Sequence, residues 1–205
     1  MVSSRFEELE KRIVELRQCF LPKEFDPTGL YEETVYEHTR AFRVLAHAEF
    51  ESFIEDRVIE VVDEAVSNWK TDGSISTSLL AIMAYRESVP PIPGSLSEAA
   101  AKPDKYPKLE ARIDAARTDL HRYVRNQNHG IKEKNLLRLL LPVGIQEAEI
   151  DSAWLSATET WATARGDAAH KGAKMQVRPD PQNELKTVNL VLDGFRDLDE
   201  QMQSK

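Results

Sequence analysis

Two residues late in the chain, Arg165 and His170, combine a permanent positive charge with a side chain that exchanges a proton near neutral pH. They are five positions apart, and the residues between them are small. Arginine presents a planar set of donors that suits a phosphate group, and histidine has an unperturbed pKa of about 6.5. The pair therefore has the minimum equipment for breaking an RNA phosphodiester without a metal ion.

A regular helix would not place the two side chains on one face, because five residues correspond to about 140° of rotation. Three arrangements would bring them together: a helix loosened at Gly166, an Arg165 side chain that bends back, or a second chain that completes the site. The small residues Gly166, Ala168 and Gly172 would let another backbone approach closely. On its own, an Arg and a His at this spacing more often mark an ordinary helix end.

The composition indicates one domain and argues against several classes of protein. The chain has 205 residues, of which 41% are hydrophobic, enough for a sizeable core. We expect a single domain over residues 1–205, with an N-terminal helix in 1–25 and a bundle in 26–205. No apolar run reaches the roughly 18 residues of a membrane span, and the charged start argues against a secretory signal. The single Cys19 fits a reducing, cytoplasmic setting.

The net charge of -8 argues against a general nucleic-acid coat protein. The acidic excess lies in residues 1–66, and the rest of the chain is balanced. Two basic stretches, 121–138 and 161–178, stand out within that balanced part. They could hold a short anionic ligand, or they could be solvated helix faces.

Apolar residues recur at intervals of three and four along nearly the whole chain, which predicts an all-α fold. The first helix should begin at Ser4, which has capping-box spacing with Glu7. The longest helix, about residues 31–70, contains no Pro or Gly and would be about 60 Å long, so it either projects or breaks. Shorter helices are predicted at 76–87, 107–126, 132–141, 147–164 and 183–203. Their short connections imply an antiparallel bundle.

Three segments carry a resemblance to a known family. Residues 40–55 are similar to the long helix of this family, in which a Glu follows apolar residues. Residues 128–145 are similar to its Asn-His-Gly segment and to the Leu-Pro-Val-Gly-Ile stretch that follows it. Residues 165–170 match its R-x4-6-H motif, with a small residue before the His. The family is the HEPN superfamily of all-helical domains, and the sequence looks most like the RiboL-PSP-type HEPN group.

The resemblance implies a metal-independent endoribonuclease, and in the family many such enzymes are toxins or defence effectors. Arg165 would hold the phosphate and His170 would be the general acid or base, leaving 2′,3′-cyclic phosphate and 5′-OH ends. The family forms dimers in which two motifs face one another, so it implies a homodimer acting on RNA. It also implies an antitoxin or defence-system protein as partner, and no cofactor, metal or membrane.

Other functions stay open because Gly166 follows the Arg, where many active members have a polar residue, and Asp167 comes one place later. A catalytically inactive module that binds RNA or a nucleotide is one alternative. A helical adaptor that binds protein is another, and it predicts no effect on RNA.

Several residues could support the motif. Glu51 could orient Arg165, although Glu49, Glu51 and Glu55 could equally form a solvated acidic face. Asp167 is a second supporting candidate. Three cations near the motif could line a dimer cleft and bind RNA: Lys171, Lys174 and Arg178.

The remaining His and Trp residues are expected to be structural. Four histidines lack the spacing of metal ligands, so we expect surface or satisfied helix positions for His38, His47, His121 and His129. Trp161 is expected in the core or at an interface, with base stacking as the alternative.

Overall fold

The structure, a computed structural model, describes residues 1–86, 91–170 and 178–205, without the side chains of 166–170. The described residues form eight α-helices and no strand, which confirms the predicted all-α fold. The helices are α1 Ser4–Phe20, α2 Glu33–Asp72, α3 Thr77–Arg86, α4 Leu96–Ala101, α5 Leu109–Asn126, α6 Glu133–Leu140, α7 Ser152–His170 and α8 Pro181–Met202. None of the helices in these ranges is both long enough and apolar enough to cross a membrane.

The long helix α2 runs unbroken for 40 residues and forms the axis of the bundle. It ends where Gly73 adopts a φ of 79°, the left-handed conformation that commonly follows a helix. Other helices pack along it on several sides, namely α1, α3, α5, α6, α7 and α8. Of the two alternatives for this segment, the structure therefore shows a continuous helix, about 60 Å long.

The first helix, α1, packs antiparallel to α2. Phe6, near its start, lies 5.7 Å from the ring of Phe53, and Phe20, at its end, lies 6.4 Å from the ring of His38. The apolar seam of α1 is buried in this contact, so α1 belongs to the same core as the rest of the bundle.

The last helix, α8, follows the direction of α2. Arg43 forms an ion pair with Glu184 near the start of α8, and Arg57 forms one with Asp199 near its end. The two helices therefore lie side by side and parallel.

Helix α7 runs opposite to α8 and therefore opposite to α2. Trp154, early in α7, donates a hydrogen bond to the carbonyl of Val191 at 3.2 Å, whereas Trp161 donates one to Glu184 at 2.7 Å. The end of α7 that carries Arg165 thus lies toward the N-terminal half of α2.

The C-terminal half of α2 is covered by α3, α5 and the turn Leu141–Val143 that follows α6. Arg117 of α5 donates to Asp63 of α2 at 2.6 Å, and the Ser78 hydroxyl of α3 donates to the Val143 carbonyl at 2.7 Å. Gly144, with a φ of 92°, closes the turn against α3, where a Cβ would come within 2.9 Å of Thr77.

The first helix begins at Ser4 as predicted, but its predicted cap and the predicted bounds of α7 are wrong. The first helix is capped by Ser3 rather than Ser4, because the Ser3 hydroxyl accepts the amide of Phe6 at 3.1 Å. Residues 147–149 form a separate 3-10 turn, and α7 begins at Ser152 and continues to His170 instead of ending near 164. The helix is therefore not interrupted at Gly166.

Packing of α7 on α8 can be tested at Gly194. A Cβ added there would lie 2.1 Å from Nε1 of Trp154. Gly194→Ala should lower the free energy of unfolding by about 1–3 kcal/mol, the usual cost of overpacking, although Gly→Ala inside an exposed helix normally raises stability. Urea unfolding gives the difference.

Gly94→Ala is the control for this prediction, because a Cβ there meets only the side-chain oxygen of Glu98, at 3.3 Å. Unchanged or increased stability of the Gly194→Ala protein would contradict the packing described here.

Candidate functional site

The three segments that carry the family resemblance meet at the middle of α2. The ring of His47 lies 5.8 Å from the ring of Trp161, which is one turn before Arg165 on α7. A Cβ on Gly130 would lie 3.6 Å from Cε1 of the same imidazole. His47 therefore contacts both the loop before α6 and the final part of α7.

Trp161 is held in place by a buried carboxylate. Glu184 accepts its Nε1–H at 2.7 Å and also accepts two hydrogen bonds from the guanidinium of Arg43. Trp161 is 4% exposed, and its ring also packs on Phe50 at 5.8 Å. It is thus a core residue, and its burial excludes the alternative of base stacking.

Arg165 is half-buried at the edge of this cluster. Its Nε is buried and has no hydrogen-bond partner among the described residues. A guanidinium with an unused N–H can donate a hydrogen bond to an oxygen of an anionic ligand. The described residues therefore leave one donor of Arg165 unpaired.

His47 is 3% exposed, in contrast to the surface or satisfied position expected for it. Burial lowers the pKa of its imidazole to about 4, and the positive charges of Arg165 and Lys132 act in the same direction. The ring is consequently neutral at pH 7, and its buried Nδ1 has no hydrogen-bond partner.

Glu51 lies beside His47 instead of pairing with Arg165. Its Oε2 is 3.7 Å from Nδ1 of His47, too long for a hydrogen bond, and the neutral ring makes no ion pair with it. No ion pair joins Glu51 to Arg165 in the described part of the chain. The expected contact that would orient the arginine is therefore not seen within one chain.

A hydrogen-bonded network fixes the loop next to His47. The side-chain amide of Asn128 donates to Glu55 at 2.8 Å and to the carbonyl of Gly130 at 3.2 Å, and Asn135 donates to Asn128 at 3.0 Å. Burial raises the pKa of the Glu55 carboxyl, whereas the hydrogen bond from Asn128 opposes the rise.

This network holds Gly130 at a φ of 126°, where other residues are strained. The loop can therefore approach the imidazole of His47 closely.

The other predicted site residues are placed less completely. His170 is the last residue of α7, but its side chain and that of Asp167 lie outside the described residues, as do Lys171 and Lys174. Arg178 is exposed, pairs with Glu33 at 2.7 Å and lies over the ring of Tyr36. It contacts α2 roughly 16 Å, or three turns, from His47.

The described residues contain no group of three or more His, Cys, Asp or Glu side chains arranged to hold a metal ion. Glu49, on the other side of α2, accepts a hydrogen bond from Arg12 of α1 at 2.9 Å. It therefore stabilises the bundle and is not part of the site.

His47 and the Asn128 network were missed by the reasoning from sequence. The usable signal was the spacing of His47, Glu51 and Glu55, which are four residues apart and so share one face of α2. This face is covered by α7 and by the loop before α6, which are distant in the sequence. A local sequence pattern therefore cannot predict which residues contact His47.

Comparison with known proteins gives a match that covers most of the chain. A family model, described as RiboL-PSP-HEPN, matches residues 7–204 of the chain. No curated protein and no solved structure gave a significant match.

The buried His47 should make the fold less stable in acid. Its pKa of about 4 lies below the ordinary value of 6.5, so the unfolded chain binds more protons between these values. The neutral His47 therefore contributes about 3 kcal/mol to the free energy of unfolding above about pH 6.5. This contribution is lost as the pH falls through about 4. His47→Phe, which cannot take up a proton, should remove about this much of the pH dependence.

Urea unfolding at neutral and acidic pH measures the effect, and His129→Gln, a change at an exposed position, is the control. An equal loss of stability in the wild-type and His47→Phe proteins would show that His47 is not buried as a neutral ring.

Proposed function

This chain belongs to the RiboL-PSP-HEPN family, which indicates an RNA-related function, and we propose that it is a metal-independent endoribonuclease. The observation that carries the proposal is the meeting of the family segments around His47, with Arg165 at their edge and its buried Nε without a partner among the described residues. Because α1 shares one core with the rest of the bundle, we infer one HEPN domain across residues 1–205.

In the proposed mechanism the RNA 2′-OH attacks the adjacent phosphate. His170 removes the proton from this hydroxyl or donates one to the leaving 5′ oxygen. Arg165 binds the phosphate and stabilises the negative charge that develops in the transition state. The products are a 2′,3′-cyclic phosphate and a 5′-OH end, and no metal ion takes part.

A homodimer explains how the two residues act together. Because α7 is helical from Ser152 to His170, the backbone positions of Arg165 and His170 are about 140° apart in one chain. A two-fold axis at the end of α7 would bring two motifs into one cleft, with a base, an acid and two phosphate binders. Asp167, Lys171 and Lys174 would lie at this cleft, and Arg178 would join them after leaving Glu33.

The family relationship supports a role as a toxin or as a defence effector against phage or stress. An active ribonuclease must be restrained in its host cell, so we propose an antitoxin or sensing protein as a partner. The RNA substrate and the free thiol of Cys19 fit a cytoplasmic location.

The second candidate is a module that binds RNA without cleaving it. The residue that favours it is Gly166, which stands where many active relatives have a polar side chain. Such a module would keep its RNA affinity when His170 is replaced and would leave no new RNA ends.

Arg165→Ala and His170→Ala should each abolish RNA cleavage. Loss of a general acid or base typically costs about 10²–10⁴-fold in rate, and loss of Arg165 removes the phosphate contact. The assay induces each protein in a bacterial host, maps RNA ends and repeats cleavage with purified protein. Arg122→Ala, an exposed arginine paired with Asp119, is the matched control and should cleave normally.

Thermal unfolding verifies that each variant is folded, and excess EDTA should leave the cleavage rate unchanged. If folded His170→Ala protein cleaves as fast as wild type, or if cleavage requires added Mg²⁺, the proposed mechanism is wrong.

Mixed dimers test whether the site is shared. Arg165→Ala and His170→Ala chains are each inactive, but a heterodimer keeps one intact arginine and one intact histidine on opposite chains. Recovery of cleavage after mixing would place the two groups across the interface. A wild-type protein that is fully active at the mass of one chain in light scattering would rule out the shared cleft.

A further inference from the structure

A second feature lies next to the proposed cleavage site: a groove between α6 and α7. Its volume is about 690 Å³. Lys132, Lys134 and Arg138 line one side, at the start and along the length of α6, and Glu159 of α7 lines the other. We call this feature the α6–α7 groove.

The groove carries three cations that form no ion pair with a described residue. Lys132, Lys134 and Arg138 are exposed and form no ion pair with any described carboxylate. By contrast, Arg117 and Arg125 of the neighbouring helix α5 both pair with carboxylates of α2. Because the chain as a whole has a net charge of -8, these unpaired cations form a local surface that attracts an anion.

Two carboxylates, those of Glu133 on α6 and Glu159 on α7, also line the groove, so that its three cations leave a net positive charge. A carboxylate oxygen of Glu159 accepts the backbone amide of Glu133 at 2.7 Å, at the first turn of α6. Its charge is therefore directed to the positive end of that helix, and it leaves the lysine side chains free for a ligand.

One end of the α6–α7 groove lies near the arginine of the motif. Lys132, at one end of the groove, and Arg165 are both close enough to His47 for their charges to lower its pKa. Glu159 precedes Arg165 by six residues on α7, a distance of about 9 Å along the helix axis. Six residues also place the two side chains about 120° apart around α7, so an extended anionic chain bound at Arg165 would pass partly around this helix to reach the groove.

We propose that the α6–α7 groove binds the sugar-phosphate backbone of single-stranded RNA next to the phosphate held by Arg165. This inference rests on the proposed ribonuclease function and specifies the substrate class. Contacts to phosphates by lysine and arginine carry no base information, and no aromatic side chain lines the groove on which bases could stack. The groove therefore adds affinity and orients the strand without selecting its sequence.

The test measures RNA binding separately from cleavage. A folded His170→Ala protein binds a short fluorescent single-stranded RNA without cutting it, and Lys132→Gln, Lys134→Gln and Arg138→Gln are added together. Removing three phosphate contacts should weaken binding by roughly tenfold or more and should make the slope of log K against log salt less steep by about 2.

The control carries three lysine-to-glutamine changes at exposed positions elsewhere, Lys11, Lys23 and Lys186, so that the net charge is the same. It should bind RNA with nearly unchanged affinity and slope. Because Arg138 lies over the ring of Tyr123, the double variant Lys132→Gln/Lys134→Gln is measured as well, in case the triple variant is less stable.

The outcomes separate this inference from the function on which it rests. Equal weakening by the groove and control variants, or no weakening by either, would overturn the groove, as would equal competition by duplex RNA. Cleavage by the protein with His170 intact is assayed on the same RNA. If the groove variants weaken binding but the intact protein never cleaves, the RNA-binding surface stands and the ribonuclease proposal fails.

Discussion

The carboxylate of Glu184 links the three helices on which the candidate site depends. It is 4% exposed, and it is compensated there by the guanidinium of Arg43 on α2 and by the indole N–H of Trp161 on α7. A buried charge is tolerated only with such partners, and loss of either one would leave it uncompensated. The position of Arg165, one turn beyond Trp161, follows from this arrangement.

Most charged residues of α2 form ion pairs that stabilise the bundle. The charged residues without such a pair therefore indicate where a ligand could bind. Glu49 pairs with α1 and Asp63 pairs with α5, so the acidic first third of the sequence is largely matched by arginines of neighbouring helices. Arg165 and Lys132 form no such pair with a described carboxylate, and both lie near the neutral His47. An acidic protein thus keeps a local surface on which cations are not paired with carboxylates.

The sequence allowed the helices and the motif to be predicted because both depend on local spacing. Residues such as Phe6, Leu9 and Ile13 recur at helical intervals, and they are buried as expected. The unbroken α2 could not be predicted, because its length is supported by helices that return from distant parts of the chain. The role of His47 was missed for the same reason: its burial is created by Trp161 and Gly130, which follow it by more than eighty residues.

The parallel pairing of α2 with α8 has a consequence for synthesis on the ribosome. The partners that cover the site face of α2, Glu184 and Phe195, belong to the last helix, so they leave the ribosome long after α2 has formed. Until then Phe50 lacks its stacked ring and Arg43 lacks its carboxylate. Since contacts between distant segments form late, the arrangement around Arg165 is complete only after α8 has been made. A nascent chain would therefore carry no assembled site until α8 has left the ribosome.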